Sequence, residues 1–281
     1  MNRMILMLLA LGVVACTKEN RTNNTPGGHV SDRGKEICFV AEGLAPYTGT
    51  KVSEVTLDNL SSFNLMAMTG IVGAETERWT VTATKDASSG RFVSGKYWPY
   101  TNPSYHFYAS NMAMTASAGG ASVTVDGSSD VVCACLYEPE FNVANALTFS
   151  HILARVGTVD VVSEKGYGLS VASVKMLQVK TSGKYNLRTS SWSDSAGALS
   201  TPINEGENDY LLLPGTYVME VVYTLTKGDY TGTFTSSGEV NLVAGKISNV
   251  RVNLSADPAV AVNFTVSVEE WDSRTIGLTL G

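Results

Sequence analysis

Four cysteines, three histidines and eight prolines are spread over 281 residues, and only 16% of the residues are charged. Each scarcity closes off a class of function. No second histidine stands at ligand spacing from His151, and no second cysteine pair accompanies Cys133 and Cys135, so a four-ligand zinc shell is not encoded. No Gly-rich phosphate loop, zinc signature or nucleophile elbow occurs. The net charge of −6 comes with no basic stripe, which argues against nucleic acid as a partner. Capped runs at helical period are missing too. The apolar run Met4–Val14 is too short to cross a bilayer.

What fills the chain instead is short segments that alternate apolar and polar, bounded by Gly, Asn, Asp or Ser. In a first block, Glu36–Ala41, Ser61–Met68, Trp79–Ala83 and Tyr105–Ala109 read as strands. A second block holds Val171–Val179, Val218–Leu225, Glu239–Val243, Ser248–Leu254 and Ala261–Val268. It also has a hairpin through Lys227-Gly-Asp-Tyr230 and a Ser/Gly-rich excursion, Lys180–Ile203, around Trp192. The fold class is all-β without a long helix. At ~150 residues per domain the length gives two domains. The boundary is expected near Asn145, with residues 36–145 on one side and 146–281 on the other.

Leu147–Val162 (LTFSHILARVGTVDVV) joins the blocks. At period two its odd positions make an apolar face broken by His151 and Arg155, so it reads as one strand covered on both faces over part of its length. A polar side chain on such a face usually satisfies carbonyls or a buried carboxylate, and the segment is read as structural.

The N-terminus is a targeting signal. A short charged start at Arg3 and the apolar Met4–Val14 precede Val13-Val14-Ala15-Cys16, which resembles the lipobox of bacterial lipoproteins. Residues 1–15 are then a signal peptide, Cys16 a lipidated residue, and 16–35 a polar tether. More than one acyl chain is needed for durable anchoring, and a lipidated Cys16 meets that. Thr17 is not the aspartate associated with inner-membrane retention, and Lys18-Glu19-Asn20 resembles part of a surface-export tether. The expected location is the outer membrane, facing outward.

Cys133 and Cys135 sit two apart on one strand and therefore on one face. With Cys38 they are read as buried free thiols, a bridge from Cys38 to either being the open alternative. Asp126-Gly-Ser-Ser-Asp130 has carboxylates in a loop but too few ligands for an EF-hand, so a plain turn is expected. Glu269-Glu270 and Glu205 with Glu207 cannot be placed across a substrate, because adjacent strand residues face opposite ways. The aromatic run Gly95-Lys-Tyr-Trp-Pro-Tyr100 reads as a core plug at one end of a sandwich. Its alternative is a glycan-stacking surface of Tyr97, Trp98, Tyr100 and Trp192, which would require those rings to be exposed along a groove. No cofactor, metal site or catalytic residue is expected.

Several stretches together resemble one family. Leu147–Val156 is similar to the mid-chain FxHxLAR strand of fimbrillin-like proteins, subunits and accessory lipoproteins of type V pili. Lys96-Tyr-Trp-Pro99 with Tyr105–Ala109 resembles the family's aromatic first-domain motif. Leu213–Tyr217, Ala244-Gly-Lys246 and Val266–Trp271 resemble its second-domain landmarks. The resemblance implies two transthyretin-like β-sandwich domains, no enzymatic activity, palmitate-type lipidation, and a fimbrial role in cell adhesion. It also implies assembly in which a protease cuts the loop after the first strand and another subunit donates a strand to the vacated groove. The matching loop is Ala45–Lys51, with Lys51 where relatives carry arginine. Arg33 precedes the first strand, so cutting there would free only the tether. The function expected is a tip or accessory pilus subunit that joins other subunits by strand addition, and a surface glycan-binding lipoprotein is the alternative. Glu36–Ala41 is expected to be a removable edge strand and Ala261–Val268 a donor strand.

Overall fold

A computed structural model describes residues 34–44, 54–99, 104–117, 119–163, 166–198, 200–254 and 262–270. Every regular element among them is a strand. The first half supplies β1 (Glu36–Glu42), β2 (Ser62–Thr69), β3 (Thr76–Lys85), β4 (Phe92–Tyr97), β5 (Tyr105–Ser110), β6 (Met114–Ser117), β7 (Gly120–Val125) and β8 (Val132–Tyr137). The joining segment gives β9 (Asn145–Thr148), β10 (Ser150–His151) and β11 (Ala154–Ser163). After it come β12 (Gly168–Leu177), β13 (Lys180–Asn186), β14 (Ser191–Gly197), β15 (Ser200–Ile203) and β16 (Gly206–Leu212). The chain closes with β17 (Gly215–Lys227), β18 (Tyr230–Leu242), β19 (Lys246–Leu254) and β20 (Asn263–Glu270).

One eight-stranded sheet runs β10-β8-β5-β2-β3-β4-β1-β9. Its inner side carries Phe39, Phe63, Phe92, Trp98, Phe107, Leu147 and Phe149 in a single core. Strands β2 and β5 are buried on both faces, because Met66, Met68 and Tyr108 enter a second core under the sheet β14-β13-β7-β6. That sheet takes β6 and β7 from before residue 145 and β13 and β14 from after it. The third core lies between β16-β11-β19-β20 and β15-β12-β17-β18, a sandwich whose inward residues include Val156, Val174, Met219, Val221, Val240 and Val252. Alternation is cleanest here: every second residue of β17 from Tyr217 to Leu225 is buried.

Leu147–Val162 differs from the single strand its period suggests. It is three strands in two sheets: β9 beside β1, β10 beside β8, and β11 in the sandwich. Leu147 and Phe149 enter the first core, Ile152 and Leu153 the second, Val156, Val159 and Val161 the third. Period two reports that a residue is buried but not which core buries it. The alternation also slips at Gly157, where β11 shifts register against both neighbours. A Cβ there would collide with Asn249 and Ile247, and the Asn249 carboxamide instead accepts the Thr158 amide at 2.8 Å.

The excursion 180–203 likewise holds three strands rather than loop. Its Ser- and Gly-rich composition conceals them, since β13 pairs with β7 along Gly183–Asn186 through main-chain bonds rather than an apolar face. Strand β1 is not an edge either. It lies between β4, antiparallel, and β9, parallel, because Asn145–Thr148 folds back alongside it. The last strand is an edge, as expected, paired to β19 from Lys246↔Glu270 to Asn253↔Asn263.

Candidate functional site: the slot of the first strand

Strand β1 is the element around which the first sheet closes. Ile37, Cys38 and Phe39 are buried, as is Leu44 just beyond, and the Phe39 ring meets Phe107 edge-on at 5.1 Å between centroids. The run Glu-Ile-Cys-Phe-Val-Ala carries apolar residues at successive positions, which suits a strand covered on more than one side. Its main chain is used on both flanks. Ser94 Oγ donates to the Ile37 carbonyl at 2.7 Å, and Phe149 N–H donates to the Glu42 carbonyl at 2.8 Å. At the start of the strand Gly34 N–H reaches the Trp98 carbonyl at 2.8 Å, and Trp98 N–H returns to Lys35 at 3.0 Å. Removing β1 would bare one edge of β4, one edge of β9 and the aromatic faces between them.

The chain resumes its described course at Glu54, and there it is fastened by groups that do not belong to β1. Asp130, 1% exposed, accepts the Val55 amide at 2.8 Å on Oδ2 and faces His151 Nδ1 at 2.9 Å. Glu54 stands 3.7 Å from the Arg155 guanidinium. Asn59 Oδ1 accepts the Thr56 amide at 2.7 Å, closing a local turn. His151 and Arg155 are thus held by carboxylates, as their place on an apolar face suggests. The partners Asp130 and Glu54 are not legible from spacing, and the expected plain turn across 126–130 is corrected at its far end. Asp126 does form such a turn, accepting from Ser128 N–H at 3.0 Å, but Asp130 turns inward.

A second polar cluster shapes the turn between β2 and β3. Glu75 accepts the Gly73 amide at 2.8 Å and the Tyr108 hydroxyl at 3.0 Å, with His106 Nδ1 3.4 Å away. Burial alone would raise this carboxyl. The amides of Gly73 and Glu75, then Tyr108 and His106, outweigh it and hold the group below the usual carboxylate value.

Trp98 is 1% exposed, its ring packed against Tyr105, Phe107 and Phe141, so it has no open face for a sugar. Tyr97 is 41% exposed on β4, while Trp192 is half-buried on β14 and tilted onto Tyr185 at 5.0 Å. These rings lie in different sheets and do not line one groove. Tyr100, Lys51, Arg33 and Cys16 lie outside the described residues. Cys133 and Cys135 are both free, so neither bridges Cys38. Cys38 is buried on β1. Cys135 is exposed, which corrects the expectation of two core thiols, and burial pushes the Cys133 thiol up to about 12. Among the described residues no group of three or more His, Cys, Asp or Glu could hold a metal ion.

The fimbrillin-like family profile matches residues 50–271, and the chain belongs to that family. Among solved structures, two candidate cell adhesion proteins of Parabacteroides distasonis share the fold. One has a TM-score of 0.58 at 9% identity, over 85% of this chain and 97% of that one. The other has a TM-score of 0.51 at 8% identity, over 85% and 99%. A fimbrilin of Porphyromonas gingivalis aligns at 11% identity with a TM-score of 0.49, over 85% of this chain and 98% of that one. No curated protein sequence matches. Membership makes this a structural protein of the cell-surface fimbrium, one that assembles with other pilus subunits and is not an enzyme.

Proposed function

We propose that the chain is a pilus subunit of the tip or an accessory position, an outer-membrane lipoprotein anchored through Cys16, that joins its neighbours by exchange of the first strand. The observation that carries this reading is the separation of two attachments. Strand β1 fills a slot between β4 and β9, while the chain from Glu54 onward is fastened by Asp130 and Arg155. A cut after Lys51 therefore frees β1 without loosening the chain from Glu54 onward. A cut at Arg33 leaves β1 in place.

The incoming strand needs apolar residues on one face and tolerance of water on the other. Strand β20 has that pattern, with Phe264 and Val266 half-buried and Asn263, Thr265 and Ser267 exposed. It is an edge strand, so its transfer to another subunit breaks one ladder only.

Protein treated with a trypsin-like protease, with and without a deletion from Ala261 onward, tests the exchange. Multimers of the treated full chain that disappear with the deletion support it. Multimers that never form, or that form equally well without the last strand, overturn it. The anchor has its own test. Cys16→Ala is expected to release the protein from outer-membrane fractions, and a variant still in the membrane pellet would contradict lipidation at that residue.

A further inference from the structure

Among the described residues eight strands end sheets, and seven of them carry something that discourages a neighbour. Strands β6, β9, β10 and β15 are four residues or shorter, and β15 contains Pro202. Strand β14 is kinked at Asp194, with φ of 50°, and β16 slips register against β11. Strand β20 carries the exposed Glu269. Short length, proline, irregularity and charge are the means by which sheet edges avoid adding strands.

Strand β18 carries a charge only at Glu239 and is the longest of the eight. It runs thirteen residues, pairs with β17 without a break in register, and has no charged residue or proline from Tyr230 to Gly238. On its inner face the Phe264 ring of β20 occupies the space a Cβ at Gly238 would need. From Tyr230 to Ser237, no strand among the described residues lies along the outer side.

We propose that this edge is a self-association surface, on which β18 of one copy pairs antiparallel with β18 of a second about a twofold axis. A second copy fits because the edge is complementary to itself. Thr231, Thr233 and Thr235 form one exposed row, while Gly232, Phe234 and Ser236 form the half-buried row. Hydroxyls donate and accept, so a threonine row can bond to its own copy. The same ladder already operates inside the sheet, where Thr224 and Thr233 hydroxyls lie 3.0 Å apart. Face matching restricts the register, since a one-residue slip would set the threonine row of one copy beside the Phe234 row of the other. A residue therefore lies on the axis, and Thr233 is that residue, because Phe234 there would set Asp229 of one copy opposite Glu239 of the other. The neutral stretch meets its copy without like-charge repulsion, and the pair joins two four-stranded sheets into one. This surface is separate from the β1 slot and works with that slot filled.

The uncut mature chain carrying Cys16→Ala, so that no acyl chain drives association, is followed by sedimentation velocity and amide exchange across concentration. The expected result is a dimer that grows with concentration while amides of residues 230–237 gain protection. Thr233→Lys with Thr235→Lys, both at exposed positions, should weaken it by about tenfold or more through like charges facing across the axis. Asn241→Lys, which lies past the end of the partner strand when Thr233 is on the axis, should leave it unchanged. A monomer at every soluble concentration overturns the proposal. So does a dimer indifferent to the paired lysines, or full protection of 230–237 in the most dilute sample. Should the lysine variant fail to fold, the concentration dependence of exchange in the unaltered edge decides alone.

Discussion

Strands β1 and β18 are both places where a foreign strand could be received, and they differ in almost every physical respect. Strand β1 is interior, hydrogen-bonded on two sides and buried at Ile37, Cys38 and Phe39. Strand β18 is a polar edge with one side open over Tyr230–Ser237. Filling the first means burying side chains worth about 1.5–3 kcal/mol each, and it can begin only after a strand has left. Pairing on the second gains main-chain hydrogen bonds of about 0.5–1.5 kcal/mol net each and requires no departure. The contrast is between two proposed joints, a slow, durable one that would need a cut and a reversible one that would not.

The largest expected effect is at the slot. Phe39→Ala removes a fully buried ring from contact with Phe107 and should cost about 3–5 kcal/mol. Amide exchange should rise first in β4, β5 and β9, while the sandwich of β17 and β18 keeps its protection. Uniform loss across both regions would show that the slot is not an independent unit.

Next is the clamp beyond the loop. Asp130→Ala leaves His151 and the Val55 amide without their buried acceptor and should cost about 3 kcal/mol in urea denaturation. It should also loosen residues 54–60 whether or not β1 is present. An unchanged midpoint would mean that the clamp contributes nothing.

Gly238→Ala addresses the inner face of β18. A methyl group there must displace Phe264, costing about 1–2 kcal/mol and raising exchange in β20 but not in β1. The smallest effect is a pH slope. With its folded value depressed, Glu75 contributes stability that is present above the unfolded value near 4.5 and lost as pH falls through the folded one. Glu75→Gln should flatten that acid-side loss, and an unaltered slope would remove Glu75 from the account.

Much of this architecture is legible in the residues. Alternation locates the strands of the second block, and the motif around Phe149, His151 and Arg155 points to the family and to buried carboxylate partners. Connectivity is not legible. Leu147–Val162 keeps a nearly continuous period while passing through three cores, and nothing in the period marks the change of core. Lys180–Ile203 lacks the apolar face that announces a strand, because β13 is placed by the edge of β7 rather than by burial. Glu36–Ala41 looks like an edge for want of any local sign that Asn145–Thr148 returns beside it. The site depends on such distant pairings. Trp98 is the right residue type for glycan stacking, but its exposure is decided by Tyr105, Phe107 and Phe141, which close over it.

The most direct measurement on the first-strand slot is peptide mass spectrometry of subunits recovered from sheared, assembled pili, beside the same protein from the membrane fraction. Strand exchange predicts assembled subunits that begin at Val52 and lack every peptide from residues 34–44, while unassembled protein retains them and a lipidated Cys16. Assembled subunits in which Ile37–Leu44 remains covalently attached to Glu54 would contradict it.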